Sequence, residues 1–485
     1  MGLDAVALVY GVLVVSLVVF GGVSVDHGSV HLSARSLPKL LLVLGGVLAA
    51  RHASWRQPSL FARIRVWGSA LYRSRSLRAV FPIFVATRGG VLAVAFLAVI
   101  SVGFVEGGDP FRVSDNELTN LSARWDAGWY LGIARDGYAV TSPEQQQNIA
   151  FFPAYPMLTR AAGALLGAGA VGAEIVERSR TVELSVNPQN RRILTGGVIV
   201  SLLSFLAALL YLHRFGAELF DPGTASASVV LLATYPFALF FSAPYTESLF
   251  LLGTIGAFYH LRRGDYVIAG LWGLLGGLTK VNGCLLSIPL AVMAVPRFRR
   301  LGAAASPVPA PMAIRVPWID LKALAAASAP GVGMVLFSTF LYALTGRPLA
   351  WLDVHRLAWG RSFAGLGGWF AQRYEFIATN SFYAYIADQP YELAYALTVA
   401  LVLLMAWPVA RRLGPAYGVF MVIVVVPPLL AGGFVSMGRF SSVLFPMFLY
   451  VAAMLPRRWL MPVAIVSGQL QALAAVLFYT WRPLY

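Results

Sequence analysis

Long apolar runs separated by short polar segments dominate the hydropathy pattern of this chain. A helix needs about 20 apolar residues to cross a bilayer, or fewer when neighbouring helices bury it. The pattern predicts about thirteen spanning helices by this length, with re-entrant segments as the alternative for the three shortest runs, 37–50, 265–279 and 281–296. The predicted spans are residues 3–23, 37–50, 80–105, 190–212, 224–241, 246–261, 265–279, 281–296, 323–344, 391–410, 415–435, 440–455 and 458–480.

The composition supports this interpretation. Hydrophobic residues make up 58% of the 485 positions and charged residues 12%, with a mean hydropathy of +0.72, whereas a soluble domain is about 25% charged. The formal charge of +16 comes from bases between the spans, which set orientation and meet anionic lipid heads. The single cysteine, Cys284, excludes an intramolecular disulfide. We expect an all-α polytopic protein of the cell membrane that contacts lipid and no nucleic acid.

The distribution of arginine predicts which loops face the cytoplasm. Residues 51–79 carry seven arginines and no acid, so we place this loop and the N-terminus inside. The long loops 106–190 and 345–390 then fall outside. We divide the chain into an N-terminal two-helix extension with a basic loop, residues 1–79, and a transmembrane catalytic domain, residues 80–485.

One polar segment, residues 106–148, reverses the basic character of the chain, with seven acids against three bases. Within it, Asp126 shares a predicted helical face with Trp129 and Tyr130. A carboxylate partly buried beside aromatic rings suits proton abstraction. The alternative is an aspartate that caps a helix, with the aromatic residues as interfacial anchors. The residues alone leave both interpretations open.

Three further charges are isolated beside apolar runs. Glu247 heads an apolar helix, where an acid either stabilises the helix dipole or binds an acceptor hydroxyl. Lys280 interrupts an apolar run and Arg439 ends one. Such cations either bind a phosphate or extend to the membrane interface. No spacing matches a metal site and no glycine-rich nucleotide loop occurs, so we predict no cofactor, with a divalent metal not excluded.

Five stretches of the chain carry a family resemblance. They are RWDAGWYLGIARDGY (124–138), NIAFFPAYP (148–156), YPFALFFSAPYTESLFLL (235–252), LTKVNG (278–283) and SMGRFSSVLFPMF (436–448). Together and in this order they resemble the PIG-V family of GT-C glycosyltransferases. The resemblance implies a GT-C-type bundle with its site on the extracytoplasmic face. It implies Asp126 as the catalytic base, and as substrate-binding residues Arg124, Trp125, Trp129, Tyr130, Asp136, Asn148, Glu247, Lys280, Asn282 and Arg439.

The resemblance also implies the reaction. We expect an inverting transfer of a sugar, mannose in the first place, from a polyprenyl-phosphate carrier to a lipid, glycan or protein acceptor. Asp126 takes the acceptor proton, and Arg439 and Lys280 offset the charge of the leaving phosphate. The alternatives are a lipid or polysaccharide flippase, which should show charges along a membrane path, and a non-catalytic subunit of a cell-envelope assembly complex.

Overall fold

The structure, a computed structural model, is a helical protein built from long apolar segments. Among the described residues, six helices are long and apolar enough to cross a membrane, or seven if one bent pair counts as a single span. The prediction of a polytopic helical membrane protein is confirmed, whereas the count of about thirteen spans is not. The described residues are 23–27, 30–34, 37–54, 74–106, 111–140, 142, 144–168, 186–296, 298, 319–361, 366–482 and 484, with isolated positions before residue 15.

The elements follow one another along the described chain as helices joined by short connections. The first part holds β1 (Val23–His27), β2 (Val30–Ala34), α1 (Leu37–Ser54), α2 (Arg75–Ser101), α3 (Glu117–Asn120), α4 (Ala127–Asp136), α5 (Ala154–Leu165), α6 (Pro188–Leu219), α7 (Pro222–Thr234), α8 (Glu247–Arg263), α9 (Tyr266–Gly277) and α10 (Ser287–Met293). The second part holds α11 (Leu321–Thr345), α12 (Ala350–Leu357), α13 (Leu366–Asn380), α14 (Phe382–Asp388), α15 (Pro390–Leu413), α16 (Pro415–Gly432), α17 (Met437–Ser441), α18 (Phe445–Met454) and α19 (Arg457–Tyr479). Three 3-10 helices lie at Asn148–Ala150, Pro236–Ser242 and Val281–Leu286.

The predicted spans differ in how well they match these helices. The six long helices are α2, α6, α11, α15, α16 and α19. The three runs predicted as the shortest contain only short apolar helices, Leu40–Arg51, Tyr266–Gly277 and Val281–Met293. The predicted span 440–455 is divided between α17 and α18. The predicted span 3–23 lies largely outside the described residues.

A small β-hairpin is the departure from the all-α prediction within the described residues. Strands β1 and β2 pair antiparallel, with Val25 opposite Leu32. Valine and leucine alternate with polar residues in both strands, which is the two-residue period of a β-strand. The apolar-run analysis missed the hairpin because it searched for helix-length segments.

A sharp bend after α7 shapes the region around Glu247. Helix α7 and the 3-10 helix Pro236–Ser242 meet at 82°, which frees backbone carbonyls from the helical ladder. Arg88, a buried side chain of α2, donates to the carbonyls of Ala233 at 2.6 Å and Ala238 at 2.5 Å. Gln471 of α19 donates to the carbonyl of Tyr235 at 2.7 Å. A cation inside a spanning helix therefore has a structural role here.

Helix α8 lies in the interior, because nearly all of its side chains are buried. The segment that carries Lys280 packs beside it through small residues: a Cβ at Gly277 would lie 2.7 Å from the Cα of Pro330 in α11. The backbone N–H of Ala154 donates to the carbonyl of Leu278 at 2.9 Å. These contacts hold Lys280 next to the start of α8.

Arg88→Met should lower the free energy of unfolding by about 1–3 kcal/mol, because buried carbonyls at the bend lose their donor. Thermal unfolding of the purified protein in detergent measures the change. Arg75→Met is the matched control, since Arg75 is an exposed residue of the same helix. Equal melting temperatures for the two variants would contradict the role given to Arg88.

Candidate functional site

Asp126 holds an ion pair, although it lies at the position of a helix cap. It precedes α4, and in this fully described part of the chain its carboxylate makes no capping hydrogen bond. Its Oδ2 instead accepts from Nη1 of Arg439 at 2.8 Å, across 313 positions of sequence. The Asp126 side chain is 30% exposed. The helix-cap alternative is therefore contradicted, and the carboxylate is open to a substrate.

Glu247 lies between two cations. Its Oε1 is 2.6 Å from Nζ of Lys280 and 3.4 Å from Nε of Arg439. The Glu247 side chain is fully buried, whereas those of Lys280 and Arg439 are 9% and 15% exposed. Lys280, Glu247, Arg439 and Asp126 thus form a chain of alternating charges that opens to solvent at Asp126. We call these four residues the ion-pair network.

The ion-pair network depends on pairing because a buried charge is costly without a partner. Aromatic rings add to the cation contacts: the Lys280 ammonium is 4.8 Å from the ring centre of Phe440, and the Arg439 guanidinium is 5.5 Å from that of Tyr245. The Tyr245 hydroxyl also accepts the backbone N–H of Asp126 at 3.0 Å. Tyr245 therefore links the two ends of the Asp126–Arg439 pair.

Strained backbone lies beside both partners of that pair. Trp125 has φ 51° and Ser436 has φ 68°, a left-handed conformation that non-glycine residues rarely adopt. The Trp125 indole donates to the carbonyl of Phe478 at 3.1 Å and lies 4.5 Å from the ring of Trp481. Strain of this kind persists where the surroundings enforce it, and it clusters at functional sites. Trp125 therefore contacts α19 and its end rather than the open side of Asp126.

An aromatic wall begins one helical turn after Asp126. The rings of Trp129, Phe151 and Trp359 lie 5.6–5.8 Å apart, centre to centre. Tyr130 is buried behind them, 5.2 Å from Phe151. The indole Nε1 of Trp359 is buried without a hydrogen-bond partner among the described residues. We call Trp129, Phe151 and Trp359 the aromatic wall.

Two predicted substrate contacts have structural partners instead. Arg124 is fully buried, and its guanidinium donates to the carbonyls of Tyr479 at 2.8 Å and Asn120 at 3.0 Å. The Asn148 amide donates to the carbonyl of Gly137 at 3.0 Å and accepts the N–H of Ala139 at 3.1 Å. Both side chains shape the loop around Asp126. These partners do not support the predicted substrate contacts.

The other predicted residues are divided. Asp136 pairs with its neighbour Arg135 at 2.6 Å and is 52% exposed, away from the ion-pair network. Asn282 lies two positions after Lys280, half-buried in a 3-10 helix. The burial of Glu247 leaves no surface for the acceptor hydroxyl that was one of its two predicted partners. Lys280 and Arg439 come together as expected.

Arg361 was absent from the predicted site. Its guanidinium lies close enough to Asp126 and Arg439 for both charges to act on it. The sequence offers no signal that separates Arg361 from Arg347 and Arg356 in the same loop. Only the packing of that loop against α16 identifies it.

His355 of α12 stays neutral at neutral pH. Burial lowers the pKa of His355 to about 4, and the positive charge of Arg361 acts in the same direction. The ring Nε2 donates to the carbonyl of Ala150 at 3.2 Å. Among the residues that the structure describes, no group of three or more His, Cys, Asp or Glu side chains is arranged to hold a metal ion.

The fold and the site define a class: a multi-span helical membrane protein with an accessible carboxylate, paired with arginine, beside an aromatic wall. Residues 109–296 match the family described as Mannosyltransferase (PIG-V). The resemblance to the PIG-V family is therefore confirmed. The matched segment contains Asp126, Glu247 and Lys280, whereas Arg439 lies beyond it.

Relatives with the same family resemblance support this result. A "GPI mannosyltransferase 2" of Cryptococcus neoformans is 31% identical over 173 residues, which are 36% of each chain. A "GPI alpha-1,6-mannosyltransferase 2" of Rattus norvegicus is 32% identical over 162 residues, 33% of this chain and 29% of the relative. The chain thus spans about a third of the length of these relatives.

Solved structures resemble the chain only distantly. The oligosaccharyltransferase of Archaeoglobus fulgidus, solved with zinc and sulfate, aligns at a TM-score of 0.38 and 13% identity over 80% of this chain and 53% of that one. Its complex with an inhibitory peptide and a dolichol-phosphate aligns at 0.35 and 12% identity, over 81% and 55%. At these scores the likeness carries no argument, and the GT-C-type arrangement stays a prediction.

Glu247→Gln should lower the free energy of unfolding by about 3–5 kcal/mol, because two buried cations lose their shared carboxylate. Thermal unfolding in detergent measures the change. Asp136→Asn removes the acid of an exposed pair, which contributes about 0–1 kcal/mol, and it is the matched control. Equal melting temperatures for the two variants would show that Glu247 is not required to hold the cations.

His355→Gln should reduce the loss of stability in acid. The unfolded histidine binds a proton below its ordinary pKa of about 6.5, whereas the folded one binds it only near pH 4. The wild-type protein therefore loses stability as the pH falls through this window. Glutamine keeps a donor for Ala150 and removes the titration. Melting temperatures between pH 7 and 4.5 test this, and an unchanged slope in the variant would refute it.

Proposed function

We propose that this chain is a membrane mannosyltransferase that takes mannose from a polyprenyl-phosphate carrier. The acceptor is a hydroxyl of a lipid, a glycan or a protein, and the site faces the extracytoplasmic side of the cell membrane. The observation that carries the proposal is the ion pair of the accessible Asp126 carboxylate with Arg439, 2.8 Å long. The similarity to relatives named GPI mannosyltransferases supports mannose as the sugar.

Asp126 is the general base of the proposed reaction. Its carboxylate accepts the proton of the acceptor hydroxyl while the hydroxyl oxygen attacks the anomeric carbon of the sugar. The bond between that carbon and the phosphate oxygen breaks, and the polyprenyl phosphate leaves with the electron pair. Attack from the face opposite the phosphate inverts the anomeric configuration. The cation of Arg439 favours the ionised carboxylate, which is the form that accepts the proton.

The leaving phosphate gains negative charge, so a cation near it lowers the barrier. Arg439 is assigned to this side of the site. Lys280 is paired with the fully buried Glu247 at 2.6 Å, so its charge is already offset. In the proposal Lys280 acts by holding Glu247, which in turn holds Arg439 from behind. This gives Lys280 a positioning role instead of the direct phosphate contact predicted from the sequence.

The aromatic wall is assigned to the sugar. Flat indole and phenyl rings pack against the apolar C–H face of a sugar ring, while a few polar groups fix its orientation. Trp359 has a buried Nε1–H without a partner among the described residues, which is available to a sugar hydroxyl. Trp129 places the wall on the same helix as Asp126.

A flippase is the second candidate, and the distribution of charge is less favourable to it. A transport path requires polar groups along the membrane normal. In the described part of the chain, the charges at the site form one compact network around Glu247, and the buried Arg88 is engaged by backbone carbonyls. A compact network suits chemistry at one point.

Asp126→Asn tests the proposal. Purified protein is incubated with radiolabelled polyprenyl-phosphate mannose and a lipid extract, and labelled product is counted. Asparagine keeps the size of the side chain and removes the base, so turnover should fall about 10²–10⁴-fold while donor binding persists. Asp136→Asn makes the same change in the same loop and should keep wild-type turnover.

Two results would contradict this assignment. Near-normal turnover by Asp126→Asn, with loss in Asp136→Asn, would move the base to Asp136. Binding of the donor without any labelled product from the wild-type protein would favour the flippase, which moves its cargo unchanged.

A further inference from the structure

The ion-pair network leaves no positive charge over for an anionic ligand. Lys280 and Arg439 carry two positive charges, and Asp126 and Glu247 carry two negative ones, which gives a formal sum of zero. A phosphate that approached this network alone would find its cations already paired. A site for an anion therefore needs a further cation close to the network.

We propose that Arg361 is this cation and that it binds the phosphate group of the lipid carrier. This assignment rests on the proposed function and deepens it. Among the described residues no carboxylate lies within ion-pair distance of Arg361, while Asp126 and Arg439 are near enough to act on its charge. With Arg361 included, the site has a formal charge of +1.

The environment of Arg361 supports an anion as its partner. Burial, and then the positive charge of Arg439, lower the pKa of Arg361 from its ordinary value. A guanidinium in such surroundings is stabilised by an anion that it can bind through two N–H groups, and phosphate is a good geometric match. Trp359, two positions earlier, belongs to the aromatic wall, so the phosphate and the sugar of one donor would lie side by side.

The position of Arg361 is fixed by close packing. Its guanidinium approaches Gly432, the last residue of α16, so closely that a Cβ there would overlap Nη1 and lie 2.6 Å from the Arg361 Cδ. The Arg361 N–H donates to the carbonyl of His355 at 2.9 Å. Gly432 lies seven positions before Arg439 on the next short helix. The outer loop and the network are therefore brought together at one glycine.

Binding of radiolabelled polyprenyl phosphate, which carries no sugar, tests the assignment in detergent-purified protein. Loss of a charge-assisted phosphate contact corresponds to about 1.5–3 kcal/mol, so Arg361→Gln should weaken binding roughly ten- to hundredfold. The uncharged polyprenol of the same chain length should bind the wild type and the variant equally. Arg361→Lys should keep part of the affinity, because it restores charge without the planar fork.

Two further variants separate charge from position. Arg356→Gln removes an exposed cation five positions away in the same loop, and it should bind polyprenyl phosphate as the wild type does. Gly432→Ala keeps the charge of Arg361 and displaces its guanidinium, so it should weaken phosphate binding and leave polyprenol binding unchanged. Inorganic phosphate should displace the carrier only in large excess. Displacement at equal concentration would assign the site to free phosphate instead.

The inference is overturned if Arg361→Gln binds polyprenyl phosphate as tightly as the wild type, or if it loses polyprenol to the same degree. The proposed function fails separately. Wild-type protein that binds the carrier phosphate through Arg361 and transfers no mannose would retain the phosphate site and lose the transferase. Protein that transfers mannose equally well with and without Arg361 would retain the transferase and lose the phosphate site.

Discussion

The burial of the Glu247 carboxylate is the constraint on which the site depends. An ionised group without water is stable only with close cationic partners, and Glu247 has two of them, from different parts of the chain. Lys280 follows α9, whereas Arg439 lies on α17 near the second long exterior loop. Satisfying one buried carboxylate therefore brings three helical segments to one point. Asp126 then completes the network from the first exterior loop, at the place where solvent begins.

The sequence indicated the individual residues of this site better than their pairing. Asp126, Glu247, Lys280 and Arg439 each attract notice, because a charge beside an apolar run is expensive. Their pairing does not follow from spacing, since Asp126 and Arg439 are 313 positions apart. The same limit explains Arg361, whose role depends on contact with α16. Arg124 shows the opposite error, because proximity to Asp126 in sequence suggested a ligand contact and burial made it structural.

The fold was predictable where a helix is long and apolar throughout, as in α2, α6 and α19. It was not predictable where tertiary contacts replace the helical ladder. The run at 224–241 is uniformly apolar, yet it bends by 82° because Arg88 and Gln471 satisfy the freed carbonyls. Hydropathy also has no means to distinguish a short helix that crosses from one that turns back. The exterior positions of the loops accordingly stay a prediction from the arginine distribution.

The contact between the Asp126 loop and α19 has a consequence for biosynthesis. Arg124 donates to a carbonyl 355 positions later, and Trp125 contacts the same end of α19 through Phe478 and Trp481. A ribosome makes the loop long before it makes α19. During that interval, nothing enforces the left-handed backbone of Trp125, and the base has no fixed direction. The enzyme is therefore silent while it is being inserted, and its competence begins only when α19 has joined the bundle.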